Sequence, residues 1–112
     1  MDSLLELSLL FDYYGVLLTE KQQLICDMYY NQNLSLTEIA EDLTITKQGV
    51  RDALKKSEKL LYNFENSLKI KDKNEQISLL IQKIEAMVDE ELQDSESKNE
   101  IKSLTKQINE LI

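Results

Sequence analysis

The feature that most constrains the fold of this chain is its lack of residues that interrupt helices. Proline does not occur among its 112 residues, and glycine occurs only at Gly15 and Gly49. Proline ends or kinks helices, and glycine supplies the positive φ values that tight hairpin turns require. The sequence therefore predicts an all-α fold. Its length is that of one ordinary domain with a single core, with room for an extension.

The first two of about six helices are predicted from apolar residues at three- and four-residue spacing. We expect helices over residues 2–14 and 20–32, with Gly15 ending the first in the left-handed conformation. Thr19 and Gln22 have the spacing of a capping box, which satisfies two amides at a helix start. The residues expected to face the core are Leu4, Leu5, Leu7, Leu10, Phe11, Tyr14, Leu24, Ile25, Met28 and Tyr29.

The next two helices form the most informative pair in the chain. Ser35 and Glu38 repeat the capping-box spacing before a short helix over residues 36–43, and Thr46 is a second good N-cap before a long helix that reaches about residue 64. A short helix, a tight turn and a longer helix form a helix-turn-helix motif, here over residues 36–61. The inward residues of the motif are predicted to be Ile39, Ala40, Leu43, Ile45, Val50 and Leu54.

The C-terminal part is predicted to be a helical extension. Weaker periodicity and dense charge predict a connector near residues 66–74, followed by a fifth helix, an interruption at "DSESKN" and a sixth helix over residues 101–111. We therefore divide the chain into residues 1–65 and an acidic extension, 66–112. The narrow apolar stripe of the last helix needs a partner surface, either its own domain or a second copy in a homodimer.

Charge is distributed very unevenly along the chain. The formal net charge is −8, yet residues 44–60 hold five basic and two acidic residues. Residues 1–43 hold one basic residue against eight acidic ones, and residues 61–112 hold seven against eleven. Overall acidity argues against indiscriminate binding of polyanions, whereas the local cluster marks one helix as a candidate surface for nucleic acid.

The candidate nucleic-acid-binding residues lie at the start and along the free side of that helix. Lys47, Gln48 and Arg51 are candidates for base edges, because the first turns of a recognition helix enter the major groove. The full candidate set is Thr46, Lys47, Gln48, Gly49, Arg51, Lys55, Lys56 and Lys59, of which the last three would meet phosphates. The plain alternative is a solvated basic face. Asp52 works against binding, because its carboxylate would repel phosphate unless it is paired or points at cytosine N4.

These residues also carry a resemblance to a known family. The stretches "LTEKQQLICDMYY" and "SLTEIAEDLTITKQGVRDALKKSEKLL" resemble the fourth-region helix-turn-helix of sigma-70-type transcription factors. With the leading "LLFDYYGVLLT" and the acidic tail, nearly the whole chain resembles the small bacterial YlxM family. The resemblance implies DNA binding, a regulatory role and a tie to the signal recognition particle pathway. Thr44 departs from the pattern, because many such motifs have glycine there.

Other classes of function are less compatible with the sequence. Histidine, a glycine-rich phosphate loop and a nucleophile paired with a base are all missing, so we expect no enzyme activity and no cofactor. The acidic run at residues 89–91 lacks the spacing of a calcium loop, so we expect no metal. Cys26 is expected to be buried and structural. The N-terminal stretch fits neither a signal peptide nor a membrane span, which favours a cytoplasmic protein.

Three functions remain open from the sequence. The first is a DNA-binding regulator that docks residues 47–59 in the major groove and acts as a homodimer on two half-sites. The second is a protein-interaction module associated with the signal recognition particle, and the third is binding of structured RNA through the same lysines.

Overall fold

The computed structural model describes residues 3–112, and within that range the chain forms six α-helices and no strand. The helices are α1 (Leu4–Tyr14), α2 (Glu20–Cys26), α3 (Leu36–Leu43), α4 (Lys47–Leu68), α5 (Ile70–Glu91) and α6 (Ser95–Leu111). The predicted all-α class with about six helices is confirmed. The expected start of α1 at residue 2 lies outside the described residues.

Local capping explains where most of these helices begin. Thr19 with Gln22, and Ser35 with Glu38, form the two predicted capping boxes. In each box the hydroxyl accepts a hydrogen bond from a backbone amide, and the longer side chain accepts one from the amide of the capping residue. Both helix starts are therefore specified by residues three positions apart.

α1 ends at Tyr14 as predicted, but the left-handed conformation predicted for Gly15 is wrong. Gly15 has φ −55° and ψ −34°, and it opens a single 3₁₀ turn, Gly15–Leu17, instead of reversing the chain. A Cβ atom at this position would lie 2.7 Å from Cε1 of Phe11. A side chain at this position would displace the Phe11 ring, so glycine leaves room for that ring and its permissive φ is not used.

The second predicted helix is also irregular. α2 keeps α-helical geometry only to Cys26 and continues as a π-helical turn, Asp27–Asn31. The carboxylate of Asp27 accepts hydrogen bonds from Asn31 and Gln32, at 2.7 and 2.8 Å. These two bonds, that from Asn31 first, lower the pKa of Asp27. The helical segment therefore ends within one residue of the predicted position 32, but its last turn is π-helical instead of α-helical.

The core of the N-terminal part of the chain, which contains α1 to α4, forms around α4. Ile25, Ile39, Val50 and Leu61 are fully buried and come from α2, α3 and α4. Cys26 is buried beside them, as predicted. Full burial of one such aliphatic side chain stabilises a fold by roughly 1.5–3 kcal/mol relative to exposure. This packing fixes the face of α4 that remains in solvent.

Three leucines that were predicted to face the core do not do so. Leu4, Leu5 and Leu24 are about half exposed or more. The pattern overestimated the buried stripe of α1 because only one side of that helix contacts α4, through residues such as Leu10 and Tyr14.

Tyr14 connects α1 to the C-terminal end of α4. Its ring is buried, and its hydroxyl donates a hydrogen bond to the Glu65 carboxylate. The same hydroxyl accepts a hydrogen bond from the backbone amide of Ile70, at 2.9 Å. One side chain therefore connects α1 to the end of α4 and to Ile70, the first residue of α5.

The chain divides into two compact units, Met1–Ile70 and Lys71–Ile112. The break between α4 and α5 lies within the predicted connector at residues 66–74, but it is much shorter than predicted, because α4 runs to Leu68 and α5 begins at Ile70. The whole break is Lys69, which adopts the left-handed conformation at φ 54°. A single left-handed residue is enough to end a helix.

The second unit is an antiparallel pair formed by α5 and α6. Thr105 donates a hydrogen bond to Glu85 at 3.0 Å, and Lys102 forms an ion pair with Asp89 at 2.6 Å. Asp94 caps α6, which begins at Ser95 within the segment that was expected to interrupt the helices. In the described part of the chain, no helix combines the length and apolar character needed to cross a bilayer.

Candidate nucleic-acid interface

The turn between α3 and α4 sets the direction in which α4 projects. Thr44 ends α3 in the left-handed conformation, at φ 54° and ψ 48°. The backbone amide of Ile45 then donates a hydrogen bond to the carbonyl oxygen of Ala40, at 3.0 Å. Ile39 and Val50 are fully buried in the angle between the two helices. The turn is therefore held by both backbone bonding and apolar packing.

The first turn of α4 is capped by Thr46. Its hydroxyl accepts a hydrogen bond from the backbone amide of Gly49, at 2.9 Å. A Cβ atom on residue 49 would lie 3.1 Å from that hydroxyl oxygen, which is a tight contact. Glycine thus leaves room for the capping side chain, a role that the sequence did not reveal. Thr46 and Lys47 are exposed, whereas Gly49 is half-buried.

Gln48 lies between two charged groups on the exposed side of α4. Its Nε2 donates a hydrogen bond to the Asp52 carboxylate at 2.8 Å, and its Oε1 accepts one from Arg51 at 3.5 Å, a length at the limit for such a bond. Asp52 therefore has a hydrogen-bond donor on its own helix. Gln48 and Arg51, both expected at base edges, are held close together at the start of α4.

The remaining candidate side chains surround the exposed half of α4. Lys55, Lys56 and Lys59 are all exposed. Arg51 and Lys55 border a groove of about 270 Å³ that is also lined by Tyr29 and Tyr30. These basic residues are therefore distributed over a broad surface, because successive helical residues are about 100° apart.

Lys56 faces a different neighbour, the start of α2. Thr19, Lys21 and Gln22 line a shallow groove together with Lys56 and Gly49. Lys21 is exposed and adds a basic residue to this side of the surface. Lys21 could not be predicted from local sequence, because it precedes the start of α4 by 26 positions. Only the packing of α2 on α4 brings Lys21 close to Lys56.

Other chemistry has little support in the described residues. No group of three or more histidine, cysteine or acidic residues in residues 3–112 could hold a metal ion. Burial raises the pKa of the Cys26 thiol, against the smaller effect of a hydrogen bond with Ser57. A neutral, buried thiol is a poor nucleophile. The exposed surface of α4 is thus the strongest candidate site.

Comparisons with known proteins agree with this architecture. A family model described as "Putative helix-turn-helix protein, YlxM / p13 like" matches residues 1–107. A UPF0122 protein of Clostridium novyi is 35% identical over 116 aligned residues, which cover all of this chain and 96% of the relative. A UPF0122 protein of Mycoplasma capricolum is 41% identical, with 90% of this chain and 89% of the relative covered. The description names a DNA-binding type of motif and no enzyme class.

Proposed function

The chain belongs to the YlxM/p13-like helix-turn-helix family, and from this we propose that it is a cytoplasmic, non-enzymatic regulator that binds duplex DNA with α4. The observation that carries the proposal is the two-sided character of α4. Val50, Leu54 and Leu61 are buried on one side, while Gln48, Lys55 and Lys59 are exposed on the opposite side. Lys47 and Arg51 are also exposed, at the start of the helix and beside its buried face. A helix anchored in this way can enter a major groove as a rigid element.

The two ends of the exposed surface would have different tasks. Lys47, Gln48 and Arg51 lie in the first turns of α4, which is the part of a recognition helix that reaches base edges. Arginine and lysine suit guanine O6 and N7, and glutamine suits adenine N6 and N7. Gln48 uses one of its two Nε2 hydrogens on Asp52, so the second hydrogen and Oε1 remain for a base. Asp52 would then orient the amide, which would make specificity depend on Asp52 as well.

Phosphate contacts would come from the rest of the basic surface. Lys55, Lys56 and Lys59 are further along α4, and Lys21 extends the surface beside Lys56. If each subunit neutralises about three phosphates, a plot of the logarithm of the binding constant against the logarithm of the salt concentration has a slope near −5 for a dimer, at roughly −0.9 per phosphate. A dimer would also present two such helices to half-sites about 34 Å apart.

The proposal is tested by fluorescence anisotropy with labelled random duplex DNA over a salt titration. We expect the wild type to bind with a steep salt slope and Arg51→Ala/Lys55→Ala to lose most of that affinity. The matched control is Lys83→Ala/Lys106→Ala, which removes the same charge from exposed positions on α5 and α6. Equal affinity of the wild type and the Arg51→Ala/Lys55→Ala variant would refute the proposal.

A second candidate function is binding of structured RNA, favoured by the groove beside Arg51 and Lys55. Tyr29 and Tyr30 line that groove, and unpaired RNA bases commonly stack on aromatic rings next to basic side chains. An RNA hairpin in the same assay separates the two functions, because this alternative predicts tighter binding to the hairpin loop and weaker binding after Tyr30→Leu.

A tie to the signal recognition particle remains a prediction from the family resemblance. The acidic surface outside α4 suits a basic protein partner. Affinity purification from nuclease-treated lysate should then recover a stoichiometric complex that contains components of that particle. Recovery of the chain without them would argue against the tie.

A further inference from the structure

The second unit presents an apolar line on α5 that α6 leaves uncovered. Leu80, Ile84 and Met87 are 56%, 42% and 63% exposed, although they are large apolar residues. Ile77, which is half-buried, extends the line toward the start of the helix. Steps of three and four residues keep these side chains on one face. This is the a/d spacing with which one helix packs against another.

α6 adds a second exposed line to the same unit. Leu104 and Ile108 are 53% and 40% exposed, and Leu111 is more exposed still. Thr105 of α6 contacts Glu85 of α5. Leu104 precedes Thr105 by one residue, just as Ile84 precedes Glu85, so each apolar line is rotated in the same sense from the contact between the helices. Because the two helices are antiparallel, the two lines open onto the same face of the pair. The combined apolar face is therefore formed by side chains of both helices.

The ends of the α5 line indicate which partner fits. Continued by the same spacing, the line reaches Lys73 at one end and Glu91 at the other, and both are exposed. In an antiparallel pair of identical helices, a positions face d positions of the partner. Pairing Leu80 with Ile84 of a second copy also aligns Ile77 with Met87, and Lys73 with Glu91. One register therefore satisfies both the apolar line and the charges at its ends.

We infer that this face binds a second copy of the chain, with α5 packed antiparallel on α5 of the partner. The two lines contain six exposed apolar side chains: Leu80, Ile84, Met87, Leu104, Ile108 and Leu111. If each buries roughly 100 Å² against the partner, the two copies together bury about 1,200 Å², the lower limit for a specific interface. A parallel arrangement would instead place Lys73 against Lys73 and Glu91 against Glu91. Electrostatic repulsion at both ends would disfavour it.

The inference supplies the interface for the dimer in the proposed function, but it does not depend on DNA as the ligand. It is tested by sedimentation equilibrium of the full chain without nucleic acid, so a failure to bind DNA leaves the result unaffected. We expect a dimer at about 100 µM, with a dissociation constant that Leu80→Gln raises at least tenfold. The matched control is Leu79→Gln, because Leu79 is 58% exposed but lies off the line. A monomeric wild type, or equal effects of the two variants, would overturn the inference.

Orientation is tested by exchanging the charges at the ends of the line. Lys73→Glu and Glu91→Lys should each weaken the antiparallel dimer, because each creates a like-charge contact with the partner. The double variant should restore the wild-type dissociation constant. In a parallel dimer neither single change alters the sign of the contact, so a dimer that is insensitive to both would overturn the antiparallel register. Far-ultraviolet circular dichroism confirms that each variant retains its helices.

Discussion

The turn of the helix-turn-helix motif allows a prediction about stability that depends on one backbone conformation. Thr44 adopts the left-handed conformation at φ 54° and ψ 48°, and its side chain is exposed. That conformation costs a residue with a Cβ atom roughly 1–2 kcal/mol. Replacing Thr44 by glycine removes the steric conflict without disturbing a buried contact.

The expected gain is smaller than this cost, because glycine also gains freedom in the unfolded chain. That second effect lowers the free energy of unfolding by roughly 0.5–1 kcal/mol. The difference predicts that Thr44→Gly raises the free energy of unfolding by about 0.5–1 kcal/mol. The corresponding rise in melting temperature is about 2–5 °C for a domain of this size.

The assay is urea unfolding followed by circular dichroism, with an unchanged slope as the check that the unfolding transition is comparable. Thr37→Gly is the matched control, because Thr37 is also exposed but lies within α3. There the same change should lower stability by a few tenths of a kcal/mol. If Thr44→Gly destabilises the protein as Thr37→Gly does, the steric argument about the turn is wrong.

Three further predictions concern other parts of the fold. Thr46→Ala should lower the free energy of unfolding in urea by about 1 kcal/mol by removing the N-cap of α4; an unchanged midpoint would contradict this. Cys26 should resist a thiol reagent in the folded state and react when urea unfolds the chain, because it is buried with a raised thiol pKa; rapid labelling of the native protein would contradict this. Hydrogen bonds from Lys102 and from Ser97 lower the pKa of Asp89 and of Asp94, respectively. Asp89 stabilises the contact between α5 and α6, and Asp94 stabilises the start of α6. Both contributions are full above about pH 4 and are lost as the pH falls below it, so thermal melts at pH 7 and pH 3 should show a lower midpoint at pH 3.

The features that the sequence predicted well are those determined by neighbouring residues. The capping boxes at Thr19 and Ser35 each depend on a partner three residues away, so the starts of α2 and α3 could be read directly. The burial of Ile39 and Val50 likewise follows from helical periodicity around one short turn.

The features that were mispredicted depend on tertiary packing or on a single backbone conformation. Gly15 leaves room for the Phe11 ring and does not adopt the left-handed conformation. Lys69 does adopt that conformation and ends α4, although lysine is not a residue type that predicts it. Leu24 belongs to an apolar pattern, but the packing of α2 leaves it exposed. For the candidate site, local sequence identified the basic residues of α4, whereas the position of Lys21 beside Lys56 required the fold.

The most direct test of the central claim is to map the DNA-binding surface by NMR. Backbone amide shifts of the ¹⁵N-labelled chain would be followed while a short duplex is added. The account predicts that the largest changes fall within residues 46–59, on the exposed side of α4, and at Lys21 beside it. Changes confined to α5 and α6, or no changes at any duplex concentration reached, would contradict the claim that α4 is a DNA-binding helix.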